Sequence, residues 1–170
     1  SKGIGTSLKH FAANNQETRR MTIDTVADER TLREIYLASF EIAVKEGKPW
    51  TVMNAYNKLL GTYCAENQWL LGQVLREEWG FDGVCISDYG SIENLVSHGF
   101  CENKEQAAYE AINANIDMEM VSTCYINNIE KLLSDGKITM EQVDTAVMRV
   151  LRLKEKLGLF ENPYGSANVE

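Results

Sequence analysis

The sequence lacks the features by which several large classes of protein are recognised. It carries 17 Lys and Arg residues against 25 Asp and Glu residues, a formal net charge of −8. This balance argues against nucleic-acid binding, which depends on neutralising phosphates with basic side chains. No apolar run approaches the length of a membrane span, the N-terminal residues lack a signal-peptide pattern, and no P-loop or Rossmann glycine loop is present. We therefore expect no nucleic-acid partner, no membrane partner and no cofactor.

Histidine and cysteine are also too few and too scattered to suggest a metal site. The chain has two histidines, and its four cysteines show no C-x-x-C spacing. His98 and Cys101 lie near each other but are separated by Gly99, so we predict no zinc there. We interpret all four cysteines as reduced and structural, a usage typical of a cytoplasmic protein rather than a secreted one.

What the sequence contains is typical of one globular domain in which strands and helices alternate. A length of 170 residues, with 44% hydrophobic and 25% charged residues, is enough for a domain with its own core. Short apolar runs predict strands over 4–11, 51–55, 84–86 and 116–121. Amphipathic segments predict helices over 28–47, 67–78, 125–134 and 140–157, and two more that begin near residues 91 and 103.

Apolar side chains at three- and four-residue spacings give the predicted helices a face to bury. In the helix over 28–47 and in the last helix, this face contains Leu32, Ile35, Tyr36, Phe40, Ala43, Val143, Val147, Val150 and Leu151. In the helices over 67–78 and from residue 103, it contains Leu70, Leu71, Val74, Leu75, Ala107, Ala108, Ala111 and Ile112. Thr139 with Gln142, and Asn103 with Gln106, have the spacing of capping boxes at two helix starts.

The alternation of strand and helix predicts an α/β fold with a parallel sheet. Four such units form either a small open sheet or half of an eight-unit barrel, which normally needs about 250 residues. The chain begins directly in a strand and turns polar after Leu157, as a linker would, which favours the half barrel. We predict that residues 1–158 are the C-terminal half of a TIM-type (β/α)8 barrel domain. Residues 159–170 would then start a linker to a second domain that this chain does not contain.

A carboxylate directly follows the predicted strand over 84–86, within the stretch W-G-F-D-G-V-C-I-S-D-Y-G. Asp88 thus stands at the C-terminal end of a buried parallel strand, where α/β barrels build their active sites. It is equally well placed to cap the helix predicted from residue 91. From these residues alone, both interpretations stay open.

Parallel neighbouring strands would bring further polar and aromatic residues to the same edge as Asp88. These residues are Lys9, His10, Tyr56, Tyr89 and Glu119. The combination suits a polyol ligand such as a sugar. A carboxylate can attack an anomeric carbon, basic groups can donate hydrogen bonds to hydroxyls, and an aromatic ring can pack on a sugar face.

Ordinary structural roles are the alternative for each of these residue types. Lys9 and His10 could form a solvated strand end, and Arg19 and Arg20 could lie on a loop surface. Met53 and Tyr89 could pack in the core. Asp117 and Glu119 could brace the mouth of the barrel. A Schiff-base aldolase that uses Lys9 is a third interpretation, although a lysine at a strand end is weak support for it.

Five sequence blocks occur in order along the chain. They read K-H-F-A-A-N-N-Q-E-T-R-R, D-E-R-T-L-R-E-I-Y-L, V-M-N-A-Y-N-K, E-E-W-G-F-D-G-V-C-I-S-D-Y-G and D-M-E-M. Together they resemble the β-glucosidase branch of glycoside hydrolase family three, and the resemblance extends through L-G-L-F-E-N-P-Y near the end of the chain. One block alone would be moderate support, whereas five in order are highly specific.

The resemblance implies a role for each matching residue. It implies that Asp88 is the nucleophile of a retaining glycosidase, and that Lys9, His10 and Arg20 bind hydroxyls of the terminal sugar. It also implies that Tyr56 lies near the nucleophile and that Met53 lines the same pocket. Tyr89 stands where the family usually has tryptophan, so it keeps a stacking face of smaller area.

Three positions depart from the family's pattern without touching the proposed nucleophile. Asn115 replaces a glycine, which is tolerable if the backbone there is left-handed. Val121 replaces a proline, so the following loop is expected to differ. Leu60 stands where an asparagine usually precedes Gly61.

The resemblance also implies that part of the catalytic machinery lies elsewhere. In the β-glucosidase branch the acid/base glutamate comes from a second domain, and the His-Asp alternative of the N-acetylglucosaminidase branch needs a second histidine that is absent from K-H-F-A-A-N-N-Q. We expect the parent protein to hydrolyse terminal β-D-glucosyl residues of β-glucosides or short β-linked oligosaccharides, and this chain alone to be nearly inactive. The alternative is a non-catalytic half barrel that forms homo-oligomers or complements its missing half, because open sheet edges demand pairing.

Overall fold

The structure is a computed structural model, and it describes residues 4–164. The strands are β1 (Ser7–Phe11), β2 (Asp24–Thr25), β3 (Thr51–Asn54), β4 (Lys58–Leu59), β5 (Thr62–Tyr63) and β6 (Val84–Ile86). The helix α1 extends over 29–47 in the consecutive segments Glu29–Thr31, Leu32–Tyr36, Ala38–Ile42 and Ala43–Gly47. It is followed by α2 (Trp69–Glu78), α3 (Ser91–Ser97), α4 (Lys104–Asn113), α5 (Cys124–Ser134) and α6 (Met140–Lys156).

The central sheet is parallel, as predicted, with the order β1–β3–β6. Val52 pairs with Leu8 on one side and with Cys85 on the other, so the three strands lie in register as consecutive barrel strands. Because parallel strands end at the same edge, the residues after β1, β3 and β6 lie together at one end of the sheet.

The fourth predicted strand, over 116–121, is shorter than expected. It is reduced to a parallel bridge between Ile86 and Met118, flanked by a hydrogen bond from Ser87 N to Met118 O (2.9 Å). Asn115 and Val121, on either side, have left-handed backbones with φ of 68° and 71°. Left-handed residues cannot continue a strand, which limits the pairing to the middle of the segment.

The hairpin formed by β4 and β5 was not predicted from the sequence. Its two-residue turn consists of Leu60 and Gly61, both with positive φ (54° and 83°), as a type I′ turn requires. β2 pairs alongside β4, and Asp24 Oδ1 accepts a hydrogen bond from Gly61 N (2.9 Å). Asparagine tolerates this conformation better than leucine does, so nothing in the structure explains why leucine stands at this position.

The helix over 28–47 is confirmed, but the face assigned to it is partly wrong. Asp28 caps it, with Oδ1 accepting from Thr31 N (2.9 Å). Ile35 is 66% exposed, whereas Leu37 and Val44 are buried. The cause is π-helical winding, in which Leu37 N donates to Leu32 O (2.8 Å) five residues back instead of four. Each such turn takes up an extra residue and rotates the buried face away from Ile35.

The core lies between the sheet and the helices. Phe11 is fully buried, and its ring lies 5.1 Å from that of Phe40 and 5.6 Å from that of Trp79. The faces predicted for α2 and α4 are confirmed, since all their members are buried: Leu70, Leu71, Val74, Leu75, Ala107, Ala108, Ala111 and Ile112. All four cysteines are free and buried, as predicted for structural thiols.

The start of α6 is confirmed, whereas its predicted apolar face is not buried. Thr139 and Gln142 form the expected reciprocal capping box. Val147 and Leu151 are exposed, 47% and 36%, because no element of residues 4–164 covers that stripe. The helix is held instead by a buried ion pair, Arg149 Nη1 to Asp117 Oδ1 at 2.8 Å.

At the start of α4, the capping box predicted from Asn103 and Gln106 is only half formed. Asn103 Oδ1 accepts from Gln106 N (2.9 Å), but the Gln106 side chain accepts from Glu102 N (2.9 Å) rather than from Asn103 N. In the described part of the chain, no helix has the length and apolar character needed to cross a bilayer.

Candidate active site

Asp88 lies just beyond the end of β6, in a turn that leads into α3. The residue is 8% exposed. Its Oδ1 accepts a hydrogen bond from Tyr89 N at 2.6 Å. Its Oδ2 is buried and has no hydrogen-bond partner among residues 4–164. A buried carboxylate oxygen that keeps its lone pairs free is uncommon, because burial without a partner is unfavourable.

The helix-cap interpretation of Asp88 is wrong. The residue that precedes α3 is Gly90, and no side chain caps this helix. The Asp88 carboxylate accepts from the adjacent amide, Tyr89 N, and not from an amide of the first turn of α3. Only the Asp88 backbone carbonyl contributes there, by accepting from Ser91 N (3.0 Å). The side chain is therefore not used to stabilise the helix.

Lys9 and His10, at the end of β1, differ in exposure because successive side chains of a strand point to opposite faces. His10 is half-buried, and its Nε2 lies 3.4 Å from Asp88 Oδ2. Lys9 is exposed, and within residues 4–164 its ammonium forms no hydrogen bond or ion pair. The structure thus places His10 against the carboxylate and leaves the Lys9 ammonium free.

Tyr56, which follows β3, lies beside Asp88 and is anchored to the next residue, Tyr89. Its hydroxyl donates to Tyr89 O at 2.7 Å. Burial, followed by the negative charge of Asp88, raises the pKa of Tyr56 to about 12, while the positive charge of Arg20 opposes the rise. The phenol therefore stays protonated at neutral pH and acts as a hydrogen-bond donor.

Arg20 and Tyr89 complete the group on the outer side of Asp88. The Arg20 guanidinium lies 4.8 Å from the centre of the Tyr56 ring, and its Nη1 donates to Glu17 Oε2 at 2.8 Å. Tyr89 is 63% exposed, so its ring offers a face for stacking.

Met53 is half-buried in β3, where it pairs in register with Ile86. No polar or ring contact joins it to Asp88 in the described part of the chain. The structure therefore brings His10, Arg20, Tyr56 and Tyr89 into one connected group around Asp88, and it leaves Lys9 and Met53 outside that group.

Two residues at this edge were missed from the sequence. Asn54, the last residue of β3, is fully buried, and its Oδ1 accepts from Asp88 N (3.3 Å). Ser87 Oγ accepts from Met120 N (2.7 Å) and donates to Asp88 O (3.0 Å). Both are small polar residues at strand ends, and the only available signal was their adjacency to the V-M-N-A-Y-N and S-D-Y blocks.

Asp117 and Glu119 have the bracing role that was their structural interpretation. Glu119 accepts from Cys124 N and Tyr125 N, both at 2.9 Å, and so caps α5. Asp117 is saturated by two arginines and by Cys85 N (2.7 Å). Neither carboxylate is free to react.

Comparison with known proteins shows the family to which this chain belongs. The sequence model described as "Glycosyl hydrolase family 3 N terminal domain" matches residues 1–153. The chain belongs to glycoside hydrolase family 3. It is 48% identical over 155 residues to thermostable beta-glucosidase B of Acetivibrio thermocellus, an alignment that covers 90% of this chain and 19% of the relative. It is 43% identical over 156 residues to exo-alpha-(1->6)-L-arabinopyranosidase of Bifidobacterium longum, covering 92% and 19%.

Among solved structures, the beta-glucosidase of Listeria innocua in complex with glucose superimposes with a TM-score of 0.90. It is 38% identical and is matched over 96% of this chain and 23% of its own length. The chain thus has the fold predicted for it, the C-terminal half of a TIM-type barrel, and it spans about a fifth of the length of the curated relatives it matches.

Proposed function

We propose that the protein to which this chain belongs is a retaining β-glucosidase that hydrolyses terminal non-reducing β-D-glucosyl residues, with Asp88 as its nucleophile. The observation that carries the proposal is the asymmetry of the Asp88 carboxylate. Oδ1 is held by Tyr89 N, whereas Oδ2 is buried, forms no hydrogen bond within residues 4–164 and has the His10 imidazole beside it, with Nε2 at 3.4 Å. A nucleophile needs an oriented carboxylate with a free lone pair, and this arrangement supplies both.

The proposed reaction has two steps. Oδ2 of Asp88 attacks the anomeric carbon from the α face, the glycosidic C–O bond breaks, and the leaving oxygen takes a proton from an acid. Water, deprotonated by the same group, then attacks the anomeric carbon of the glycosyl ester and releases Asp88 as a carboxylate. Such a mechanism needs a second carboxyl group about 5 Å from the first. We propose that this acid/base comes from a part of the protein outside this chain.

The residues around Asp88 are suited to hold the sugar. His10 lies beside the attacking oxygen, and Lys9 and Arg20 are donors for hydroxyl groups. The exposed face of Tyr89 is placed for stacking on a sugar ring. Met53 is proposed to line the same pocket, where its apolar side chain would contact a carbon face of the ligand.

The direct test is to trap the intermediate in the complete protein with a 2-deoxy-2-fluoro-β-glucoside and to map the labelled peptide. The fluorine slows both steps, and a reactive leaving group lets the first one proceed. We expect the label on Asp88, and label on any other residue would contradict the assignment. Asp82, an exposed aspartate just before β6, is the matched control, and Asp82→Asn should leave labelling unchanged.

The rival proposal is a non-catalytic half barrel, and the exposed stripe on α6 and the open edges of the sheet favour it as a description of the isolated chain. We propose that residues 1–158 dock onto a complementary barrel half or onto a second copy, and that the chain alone is nearly inactive. Sizing and activity measurements on the 170-residue chain decide this. A monodisperse, stable monomer would contradict docking, and turnover near the rate of the complete protein would contradict the need for other parts.

A further inference from the structure

The backbone on either side of the Asp88 side chain is held by a set of hydrogen bonds. Its carbonyl accepts from Ser87 Oγ (3.0 Å) and from Ser91 N (3.0 Å). Its amide donates to Asn54 Oδ1 (3.3 Å). The first two partners are within three residues of Asp88, whereas Asn54 belongs to the neighbouring strand. Asn54 therefore fixes the start of this turn relative to β3, while hydrogen bonds from Ser87 N to Met118 O and from Gly90 N to Met120 O hold it to the segment on its other side.

Asn54 is itself held by interactions that set the direction of its amide. Its Nδ2 donates to Ala55 O (2.8 Å), which leaves Oδ1 facing Asp88 N. The second support is Ser91, at the start of α3, whose hydroxyl lies 3.3 Å from Nδ2 and 3.4 Å from Oδ1. Asn54 is fully buried, so water cannot replace these partners.

We propose that Asn54 is a positioning residue for the nucleophile: it connects the ends of β3 and β6 through the Asp88 amide and thereby sets where Oδ2 points. The proposal rests on the proposed function of Asp88. Within residues 4–164, the one hydrogen-bond donor to Oδ1 is Tyr89 N, which belongs to the same turn, so a shift of the turn moves the whole carboxylate. Reaction rates are sensitive to such shifts, and a displacement of about 1 Å can lower a rate about 100-fold.

The alternative is that Asn54 only satisfies buried polar groups and contributes to stability. Asn67 separates the two roles, because it is also a buried asparagine whose Oδ1 accepts a backbone amide, that of Leu70 (2.9 Å). Its contact lies at the start of α2 and not at Asp88. Asn54→Ala and Asn67→Ala each remove one buried amide, and only the first removes the support of Asp88 N.

The experiment compares both variants with the wild type in the complete protein, by steady-state kinetics on a β-glucoside and by hydrogen–deuterium exchange over residues 84–90. For Asn54→Ala we expect kcat to fall about 100-fold while KM changes less than about threefold, because positioning acts on the transition state. We also expect exchange at the Asp88 amide to become at least tenfold faster. Asn67→Ala should lower the unfolding temperature but leave both kcat and exchange at the Asp88 amide unchanged.

A milder variant guards against a failure of Asn54→Ala to fold. Ser91→Ala removes the second support of Asn54 while leaving the backbone bond from Ser91 N to Asp88 O in place. It should give the same pattern with a kcat loss of about three- to tenfold. Unchanged kcat and unchanged exchange at Asp88 in the folded variants would overturn the inference. An inactive wild-type protein would instead overturn the proposed function, and the exchange measurement would still decide the role of Asn54.

Discussion

Asp88 and Asp117 are buried to almost the same extent, 8% and 9% exposed, but their carboxylates are satisfied very differently. Asp117 binds Arg76 at 2.5 Å and Arg149 at 2.8 Å, and it also accepts from Cys85 N at 2.7 Å. Among the described residues, Asp88 has one amide on Oδ1, and its Oδ2 forms no hydrogen bond and lies 3.4 Å from His10 Nε2.

The two aspartates lie next to the same strand, β6: Asp88 follows its end, and Asp117 accepts from the amide of Cys85 within it. The carboxylate of Asp117 accepts hydrogen bonds from Arg76 on α2 and Arg149 on α6, and so holds β6 to both helices. Asp88 keeps one oxygen free at the end of the strand, where a ligand could reach it. Burial therefore does not distinguish the structural carboxylate of Asp117 from the proposed nucleophile, whereas the number of donors on each oxygen does.

The largest predicted effect follows from removing the free oxygen. Asp88→Asn in the complete protein should lower kcat about 10⁴-fold, since loss of a nucleophile leaves only binding and the remaining machinery. The unfolding temperature should stay within a few degrees, because Oδ2 forms no hydrogen bond among the described residues and would lose only its 3.4 Å contact with the partly exposed His10 imidazole. Kinetics and thermal unfolding of the same preparation measure the loss of kcat and the change in unfolding temperature. A large loss of stability would mean that Asp88 has a structural role.

The opposite pattern is expected at the saturated aspartate. Asp117→Ala leaves Arg76 and Arg149 buried with no countercharge, and breaking a buried pair in this way destabilises by about 3–5 kcal/mol. Chemical unfolding measures this loss in the free energy of unfolding. Asp135→Ala, at an exposed ion pair with Lys131, is the control and should lose less than about 1 kcal/mol. Equal losses in the two variants would remove the distinction drawn between saturated and surface carboxylates.

Glu66 tests whether burial raises the pKa of a carboxylate even though the positive charge of Lys58 opposes the rise. It accepts from Tyr63 N (3.1 Å), and burial raises its pKa to about 7. Because the folded pKa lies above the unfolded value of 4.5, the fold is favoured at low pH and loses stability as pH rises through 7. Glu66→Gln should therefore stabilise the protein at pH 8 by about 1 kcal/mol, allowing for solvent screening, and have little effect at pH 5.

Thermal unfolding of the Glu66→Gln variant as a function of pH measures this. The same substitution at Glu130, an exposed residue on α5, serves as the control and should leave the pH dependence unchanged. A gain at pH 8 no larger than the gain at pH 5 would contradict the assignment of the raised pKa to Glu66.

The smallest effect is expected at the hairpin, away from both aspartates. Leu60→Asn should stabilise the fold by about 0.5–1 kcal/mol, because asparagine adopts the positive φ of a type I′ turn more readily than leucine. Catalytic rates should be unchanged. Leu159→Asn, in the segment after α6, is an exposed leucine with no such turn and should give no gain. A destabilised Leu60→Asn variant would argue against the left-handed conformation of the turn.

The extent to which the sequence predicted this structure depends on how local each feature is. Strand and helix starts followed from apolar runs and caps, as at β6 and at Thr139. The π-helical turns of α1 did not, because a single extra residue per turn leaves the apolar spacing looking α-helical, and Ile35 was misplaced for that reason. The short pairing at Met118 depends on two left-handed residues whose conformations no periodicity reports.

The candidate site was predictable in its members but not in its supports. Asp88, His10, Tyr56 and Tyr89 stand in recognisable blocks at strand ends, and the structure brings them together. Asn54 was missed because one buried amide creates no pattern in a sequence, and its importance depends on a contact with another strand. The saturation of Asp117 by Arg76 and Arg149 was equally hidden, since those three residues come from separate elements.

The claim that Asp88 is the nucleophile is tested most directly by chemical rescue of Asp88→Gly in the complete protein. Removing the carboxylate opens the α face of the anomeric carbon, so azide added to the reaction can attack there in its place. We expect an inactive variant that recovers turnover of an activated β-glucoside as azide rises and releases α-glucosyl azide, the product of a single inversion. Release of β-glucosyl azide would contradict the role of Asp88. Hydrolysis to β-glucose by the variant at the wild-type rate would contradict it as well.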